Sequence, residues 1–468
     1  RIKSRFQVLI HMRHLVFILL LSFLVTACTM KPAEQGFKDI SDKIVENPSE
    51  RRYGVAVRYH DGRPEAFVTG FGAPNQLLRW QNGVLTDVTP EPLRDPESDA
   101  IGAAWCDIDD DGVEELYVLT TDTYGGRKRF TDHLYDKTDQ GWTDRFNESE
   151  VPNRYAGRSV ACHYSPDGYG FFVARYGGPM QLITDVNGEL QDVAPKYDMD
   201  RTTGGRSIVN VPTQDGVDLF LGNERGPNYY YDRKNDSYEE KADELGVSAP
   251  TQNARGTTVL DVDQDGDLDI AVANWEDYHR IYNRTQDGFQ DIAPTSFNKP
   301  TPARSLIAHD FDGDGSVELF LNNIGTNNSY HAATGEELPI GSAEEPQGFG
   351  TGAAVADFNQ DGVPELLIAH GESRAQEMTL YRHTDAEPQT TVIPRWENGS
   401  PSRNARVTFE DSGGVSAVDG GSAYLNQMGP TVSRGTNVPV EIQVRYPDGT
   451  TVNKTVTQRQ TVIRPDQG

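Results

Sequence analysis

The sequence predicts an all-β protein: a seven-bladed β-propeller of four-stranded blades, closed by an N-terminal strand and followed by a small β-rich C-terminal domain. Three observations support this fold class. A repeat recurs every 47 to 56 residues, short β-branched and apolar runs alternate with turns, and the 468 residues include 45 glycines and 27 prolines. A repeat of this length with four strands is typical of a propeller blade. Helical repeats would need a 3.6-residue apolar period, which the chain lacks.

An Asp-Gly pair marks each copy of the repeat. The pairs begin at Asp61, Asp111, Asp167, Asp215, Asp265, Asp314 and Asp361. In the clearest copy, residues 255–294, two apolar runs flank a tight turn and two shorter strands follow. The motif GFKDIS at 36–41 repeats GFQDIA at 288–293. We therefore expect residues 37–41 to complete the last blade, so that the ring has no open sheet edge.

The amino-terminal segment has the pattern of a signal peptide. From Met12, the expected start, a basic Arg13 precedes an apolar stretch over 15–25 that is too short to span a bilayer. Val-Thr-Ala-Cys at 25–28 resembles the lipobox of bacterial lipoproteins, which implies lipidation of Cys28; a chance cysteine after an ordinary signal peptide is the alternative. With Thr29 next, we expect an anchor in the outer membrane of a Gram-negative bacterium. The leader would cover 1–27, and the lipidated cysteine and linker 28–35.

The charge balance limits the classes of partner. The chain has 71 acidic and 43 basic residues, which gives a net charge of −28. Such a field repels nucleic acid and anionic lipid headgroups, and it attracts cations. We therefore expect no nucleic-acid partner and no membrane contact beyond the N-terminal lipid. Adaptation to salty surroundings explains the surplus of acidic residues equally well.

Four of the repeat turns fit the pattern Asp-x-[Asp/Asn]-x-Asp-Gly-x-x-[Asp/Glu]. Their candidate ligands are Asp107, Asp109, Asp111 and Glu115; Asp261, Asp263, Asp265 and Asp269; Asp310, Asp312, Asp314 and Glu318; and Asp357, Asn359, Asp361 and Glu365. Alternate oxygens converge when the glycine allows a sharp turn, and several hard oxygens suit Ca²⁺. The sequence thus predicts about four structural calcium sites, in blades 2, 5, 6 and 7. Blades 1, 3 and 4 lack part of the pattern, and we expect no calcium there.

The loops on the face opposite these turns are the candidate ligand surface. They vary most among the repeats and carry exposed aromatic and basic residues, as binding loops do. The candidate contacts are Arg206, Arg255, Arg304, Trp275 and Tyr176. Arginines recur at the start of the first strands. They either form an anion site at the mouth of the central channel or pair with carboxylates of neighbouring blades.

Two cysteines occupy equivalent positions in neighbouring repeats, just before the turn. We expect Cys106 and Cys162 to be small buried residues, because equivalent inner-strand positions of adjacent blades should lie too far apart for a disulfide. Export from the cytoplasm would nevertheless permit a bridge.

The repeats resemble FG-GAP/VCBS repeats, and Phe-Gly-Ala-Pro follows the second strand of the first copy at 71–74. The C-terminal segments NGSPSRNARVTFEDSGG, GGSAYLNQ and VEIQVRYPDGT resemble an ASPIC/UnbV domain. The combination is similar to bacterial relatives of cartilage acidic protein. The resemblance implies a propeller over 36–388 and an ASPIC/UnbV-like domain over 389–468, which we expect to pack on the propeller's side.

The chain shows no nucleophile elbow, zinc helix motif, phosphate loop or dinucleotide fingerprint. The sequence therefore favours a calcium-stabilised binding or adhesion protein for a carbohydrate or protein ligand over an enzyme. The alternatives are a polysaccharide lyase or hydrolase on a calcium-binding propeller, because propellers carry such activities with dispersed residues, and a purely architectural role.

Overall fold

The computed structural model describes residues 35–411, 414–422 and 425–465. The predicted leader, the lipidation site Cys28 and the linker up to residue 34 lie outside the described residues. Within the described part, no helix is long and apolar enough to cross a membrane.

Strands account for most of the regular structure, as the sequence predicted. Strand β1 (Phe37–Asp39) comes first, and consecutive groups of antiparallel strands follow, which we number as blades. Blades 3 and 4 are joined by strand pairing into one eight-stranded sheet. Blade 1 contains β2 (Arg52–His60), β3 (Arg63–Gly70), β4 (Gln76–Gln81) and β5 (Val84–Asp87); blade 2 contains β6 (Ala100–Cys106), β7 (Glu115–Thr120), β8 (His133–Thr138) and β9 (Gly141–Asp144). Blade 3 contains β10 (Gly157–Ser165), β11 (Gly168–Pro179), β12 (Gln181–Val186) and β13 (Glu189–Asp192); blade 4 contains β14 (Thr202–Pro212), β15 (Val217–Asn223), β16 (Tyr229–Lys234) and β17 (Ser237–Glu240).

The later blades repeat this order, except that blade 6 has three described strands rather than the predicted four. Blade 5 contains β18 (Ala254–Leu260), β19 (Asp269–Asn274), β20 (Arg280–Thr285) and β21 (Gly288–Asp291); blade 6 contains β22 (Ala303–His309), β23 (Glu318–Asn323) and β24 (Ser329–Ala332); blade 7 contains β25 (Gly350–Ala356), β26 (Glu365–His370) and β27 (Thr379–His383). The helices are short: an α-helical turn at Glu91–Arg94 and 3₁₀ turns at Ser41–Lys43, Arg145–Glu148, Ala194–Tyr197 and Ser342–Glu344.

The first strands of the sheets form a closed ring. Strands β2, β6, β10, β14, β18, β22 and β25 contact one another in that order, and β25 contacts β2 again. Their residues are mostly buried on both faces, which explains why they read as continuous apolar runs rather than alternating ones. The hydrophobic core lies between neighbouring sheets, as where Tyr117 of blade 2 packs on Phe171 of blade 3.

Strand β1 closes the ring, as GFKDIS predicted. It pairs antiparallel with β27 as the fourth strand of blade 7, with Phe37 opposite His383 and Asp39 opposite Tyr381. The Phe37 ring is 1% exposed and packs edge-on against Phe311 and Tyr330 of blade 6. The N-terminal end of the described chain is thereby joined to the last repeat.

The C-terminal part forms two further sheets around one core. Its strands are β28 (Thr390–Pro394), β29 (Arg406–Phe409), β30 (Val415–Ala417), β31 (Asn426–Gln427), β32 (Val432–Arg434), β33 (Val440–Arg445), β34 (Thr451–Val456) and β35 (Gln460–Ile463). One sheet has the order β32-β28-β35 and the other β30-β29-β33-β34. Residues Val407, Phe409, Ile442 and Val444 belong to their shared core. As the sequence suggested, Thr390–Pro394 is the first strand of this domain.

The C-terminal domain does not pack on the side of the propeller; that prediction was wrong. Its residues 420–422 and 425–428 contact the inner strands of the ring, where β31 pairs in parallel with β2. The Gln427 side chain accepts from the Trp105 N–H at 2.8 Å and donates to the Trp105 carbonyl at 2.9 Å. The approach is so close that a Cβ on Gly420 would lie 2.3 Å from the Cys162 carbonyl oxygen. These contacts place residues of the C-terminal domain against the inner strands of the ring.

Cys106 and Cys162 form a disulfide, contrary to our expectation. Their Cα atoms are 5.3 Å apart, and both side chains are buried. The expectation failed because the innermost strands converge on the channel axis, so that equivalent positions of β6 and β10 come within bonding distance. The bridge joins blades 2 and 3 directly below the turn that begins at Asp107.

Candidate metal centres and the channel mouth

Each of the four acidic turns contains backbone that favours Asn, Asp or Gly. In blade 2 the chain passes through left-handed φ angles of 62° at Asp110 and 94° at Gly112. Blade 5 repeats this at Gln264 and Gly266, and blade 7 at Gln360 and Gly362. The glycine tolerates this φ without strain, which is why the Asp-Gly pair marks the turn so regularly.

In each turn, backbone N–H groups hold one oxygen of the first and one oxygen of the last acidic side chain. In blade 2, Gly112 N–H donates to Asp107 Oδ2 at 3.1 Å, and Ile108 N–H donates to Glu115 Oε2 at 2.8 Å. The same two bonds recur in blades 5, 6 and 7, to Asp261 and Asp269, Asp310 and Glu318, and Asp357 and Glu365. The turn is therefore organised by its own backbone.

In blades 2, 5 and 6 the acidic groups converge. The sets are Asp107, Asp109 and Glu115; Asp261, Asp263 and Asp265; and Asp310, Asp312 and Glu318, each with ligand oxygens within 4.8 Å of one another. Buried oxygens Asp107 Oδ1, Glu115 Oε1 and Asp261 Oδ1 have no hydrogen-bond partner. Several hard oxygens at this spacing, some of them buried and unsatisfied, fit a calcium ion well.

Burial also disfavours the ionised form of these carboxylates when no cation is bound. Burial, with neighbouring carboxylates adding to it, raises the pKa of Asp107 and Asp310 to about 6 and that of Glu318 to about 9. Burial likewise raises the pKa of Asp269 to about 7. Clustered buried carboxylates are costly when ionised, and a bound divalent cation would offset that cost.

The turn of blade 7 differs from the other three in that an arginine of its third strand lies closer to the carboxylates than Arg145 lies to Asp109 in blade 2, at 3.5 Å. Arg382 Nη1 lies 2.5 Å from Asp361 Oδ2 and 4.0 Å from Glu365 Oε1. The Asn359 amide also donates to Glu365 Oε1. Although Asp357, Asn359, Asp361 and Glu365 occupy the predicted positions, an arginine already lies among them.

The C-terminal domain reaches the first aspartate of each converging set, a feature that the sequence did not reveal. Asn398 Nδ2 donates to Asp107 Oδ2 at 3.3 Å, Val415 N–H to Asp261 Oδ2 at 2.9 Å, and Gly435 N–H to Asp310 Oδ2 at 2.7 Å. The domain therefore covers the face of the ring that carries the acidic turns.

A cavity of about 540 Å³ opens at the opposite end of the channel. All seven blades contribute to its lining, which includes Tyr53, Tyr124, Arg158, Arg206, Glu224, Arg255, Trp275, Arg304 and Glu372. Four of the five predicted ligand contacts thus meet here: Arg206, Arg255, Arg304 and Trp275. Tyr176 is not part of the lining but packs on Tyr124, with ring centroids 5.3 Å apart. We call this cavity the channel mouth.

Arg206, Arg255 and Arg304 pair with carboxylates, in line with the second of the two interpretations. Arg158 donates to the backbone carbonyls of Thr123 and Tyr124 instead. Arg206 donates from Nε to Glu224 at 2.5 Å, and Arg255 of the next blade lies 3.2 Å from the same carboxylate. Arg304 pairs with Glu372 of the following blade at 3.2 Å, and its guanidinium lies 4.1 Å from the Trp275 ring centroid. The mouth therefore offers both hydrogen-bond donors and acceptors beside aromatic rings.

One family model matches part of the repeat region. The FG-GAP-like repeat family matches residues 261–321, from the acidic turn of blade 5 to the second strand of blade 6. Among solved structures, the SapL1 lectin in complex with alpha methyl fucoside is similar over 64% of this chain and 98% of its own, with a TM-score of 0.40 and 10% identity. Sqt1 of Saccharomyces cerevisiae is similar over 75% of this chain and 98% of its own, with a TM-score of 0.45 and 11% identity. These two likenesses are too distant to inform function.

Two proteins found by sequence comparison are more similar to this chain than these structures are. Cartilage acidic protein 1 of Homo sapiens is 33% identical over 511 aligned residues, which cover 95% of this chain and 77% of the human protein. Its Mus musculus counterpart is 33% identical over 92% of this chain and 76% of its own length. With one third of residues identical over nearly the whole chain, this protein belongs to the cartilage acidic protein family.

Proposed function

We propose that this protein is a calcium-stabilised, extracytoplasmic binding or adhesion lipoprotein, anchored through Cys28 in the outer membrane, that takes a carbohydrate ligand at the channel mouth. The observation that carries the proposal is the position of the cavity. The C-terminal domain covers the acidic-turn face, whereas the cavity opens on the other face and gathers side chains from all seven blades.

The chemistry of the lining favours a carbohydrate over other ligands of its size. Sugar hydroxyls both donate and accept hydrogen bonds, and Arg255, Glu224 and Asn253 supply both kinds of partner within one cavity. Trp275 and Tyr124 supply aromatic surface beside them. A concave site with apolar rings and a few polar groups is the usual form of a small-ligand pocket.

The rim of the cavity face extends this surface. Among the described residues, the aromatic side chains that are most exposed are Tyr124, Phe130 and Tyr278, with 61%, 45% and 53% of their area accessible. All three lie in loops between the second and third strands of blades 2 and 5. Exposed aromatic residues grouped on one face are a mark of a binding surface.

In this proposal, bound calcium stabilises the folded structure. Extracellular calcium modules have Kd values of roughly 0.1–1 mM. At millimolar free calcium, each site adds about 1 kcal/mol to the free energy of unfolding. Three such sites together add a substantial part of the stability of an ordinary domain.

A polysaccharide panel tests the proposal. The chain from residue 29 onward, in calcium, is passed over immobilised polysaccharides, and retention and released sugars are both recorded. We expect retention on at least one polysaccharide, its loss in Trp275→Ala, and no change in Val462→Ser, a control at a side chain that is 39% exposed on β35. Retention that neither Trp275→Ala nor Tyr124→Ala reduces would refute the site. Absence of retention on every polysaccharide would indicate a protein ligand instead.

Asp99 allows the alternative of a carbohydrate-active enzyme to be tested. Asp99 lines the channel mouth, and burial raises its pKa, as a general acid requires. If the panel releases sugars and Asp99→Asn abolishes the release while retention persists, the protein is a carbohydrate-active enzyme. Retention without products supports the binding role.

A further inference from the structure

The residue of the third strand that faces the last acidic position of each turn differs among the blades. In blade 6, Ala332 lies opposite Glu318. Continuing the pairing of blades 2 and 5 by one residue places Asp136 opposite Glu115 and Asn283 opposite Asp269. In blades 1 and 7 this position holds an arginine: Arg79 lies opposite Glu65, and Arg382 lies opposite Glu365. We call it the facing position.

Blade 1 shows what an arginine does there. Glu65 occupies the same place as Glu115 and is fully buried. Arg79 donates from Nε to Glu65 Oε1 at 2.5 Å, and Arg58 donates from Nε to Glu65 Oε2 at 2.9 Å. Both oxygens are paired with guanidinium groups, whereas Glu115 Oε1 in blade 2 is buried without a partner. In blade 1 the protein supplies the cation itself.

Blade 7 combines both features. It keeps the acidic turn and the same backbone bonds as blade 2, with Phe358 N–H donating to Glu365 at 2.9 Å and Gly362 N–H to Asp357 at 2.9 Å. It also has the arginine, since Arg382 contacts Asp361 at 2.5 Å and lies 4.0 Å from Glu365. A guanidinium this close would repel a divalent cation and competes for the same oxygens.

We propose that the facing position selects the cation of each turn: calcium in blades 2, 5 and 6, and an arginine side chain in blades 1 and 7. The native protein then binds three calcium ions, and blade 7 holds a preformed site that Arg382 occupies. The inference rests on the calcium binding that forms part of the proposed function. It reduces the four sites expected from the turn pattern to three.

The count of bound calcium tests this inference. Calcium-depleted protein from residue 29 onward is titrated by equilibrium dialysis with radioactive calcium, and circular dichroism checks that each variant is folded. We expect three ions for the native chain, four for Arg382→Ala, and two for Ala332→Arg, which places an arginine in the facing position of blade 6.

Arg79→Ala is the matched control. It removes the equivalent arginine in blade 1, but Val57 and Tyr59 stand where that turn would need ligands, so the count should stay at three. Four ions in the native chain, or three in Arg382→Ala, would overturn the inference while leaving calcium binding intact. No bound calcium in the native chain would overturn both the inference and the calcium part of the proposed function.

Discussion

Arg403 of the C-terminal domain donates from Nε to Glu114 Oε1 of blade 2 at 2.6 Å, and the two side chains are only 1% and 4% exposed. Its other nitrogens donate to the Val57 and Asp419 carbonyls at 2.9 and 2.8 Å. One buried guanidinium thus joins the propeller, the acidic turn of blade 2 and the segment that contacts the inner strands.

Replacing Arg403 by Leu should therefore release the C-terminal domain. The change leaves Glu114 charged, buried and unpaired, which typically costs about 3–5 kcal/mol. We expect a lower midpoint of denaturant unfolding and faster proteolysis after the propeller. The double variant Arg403→Leu with Glu114→Leu should recover part of the loss, because neither side chain then needs a charged partner. Equal stability of the native chain and Arg403→Leu would contradict this role.

Without calcium, the stability of the fold should decrease as the pH rises. The pKa of Asp107 and Asp310 is raised by burial to about 6 and that of Asp269 to about 7, against about 4 in an unfolded chain. A raised pKa means that the folded state holds the proton more tightly. Its contribution is complete below about pH 4 and is lost as pH rises through about 7.

In calcium-free buffer the melting temperature should then fall between pH 5 and pH 8. In excess calcium the fall should be small or inverted, because calcium binds the ionised carboxylates and competes with protons. Differential scanning calorimetry across this range checks both curves. A triple variant with Asp107, Asp269 and Asp310 each changed to Asn is the control, and its calcium-free curve should be flatter. Parallel curves with and without calcium would contradict the assignment of these groups.

The Cys106–Cys162 disulfide should stabilise the fold and the acidic turn of blade 2. Cys106 and Cys162 are 56 residues apart in sequence, and closing a loop of this length stabilises a fold by about 4 kcal/mol in the chain-entropy account. We expect Cys106→Ala with Cys162→Ala to lower the melting temperature and to weaken calcium binding, since Cys106 directly precedes Asp107. The native chain treated with reductant should match the double variant. A native chain that is unaffected by reductant under unfolding conditions would contradict the bridge.

The features that the sequence predicted are those encoded locally. The acidic turns, the paired strands around them and the strand of residues 37–41 each depend on a pattern a few residues long that recurs at a fixed spacing. Backbone geometry at Asp110 or Gly112 is decided within one turn, so a single sequence is enough to find it.

The features that were missed depend on contacts between distant segments. Nothing in the sequence of residues 420–422 and 425–428 predicts their contact with the inner strands. The Cys106–Cys162 bridge depends on how closely those strands converge. Arg382 carried a signal that could have been used. Third strands read Leu-Tyr-Asp at 134–136, Ile-Tyr-Asn at 281–283 and Leu-Tyr-Arg at 380–382, and aligning them would have placed the arginine beside the turn.

The closing strand offers the last prediction. Phe37 has ring centroids 5.2 Å from Phe311, 5.5 Å from Phe320 and 5.1 Å from Tyr330. Truncation to Ala leaves a cavity among these rings and should cost about 3–5 kcal/mol. Lys38→Ala, at the adjacent exposed position, should change the free energy of unfolding by less than about 0.5 kcal/mol.

Deleting residues 36–41 should be more harmful than Phe37→Ala, because it also exposes the edge of β27 to pairing with other chains. We expect the deletion to lower the melting temperature sharply and to cause self-association, visible by size-exclusion chromatography with light scattering. A monomeric deletion variant with native unfolding would show that blade 7 is stable with three strands. The ring would then be held by contacts between β25 and β2 rather than by the N-terminal strand.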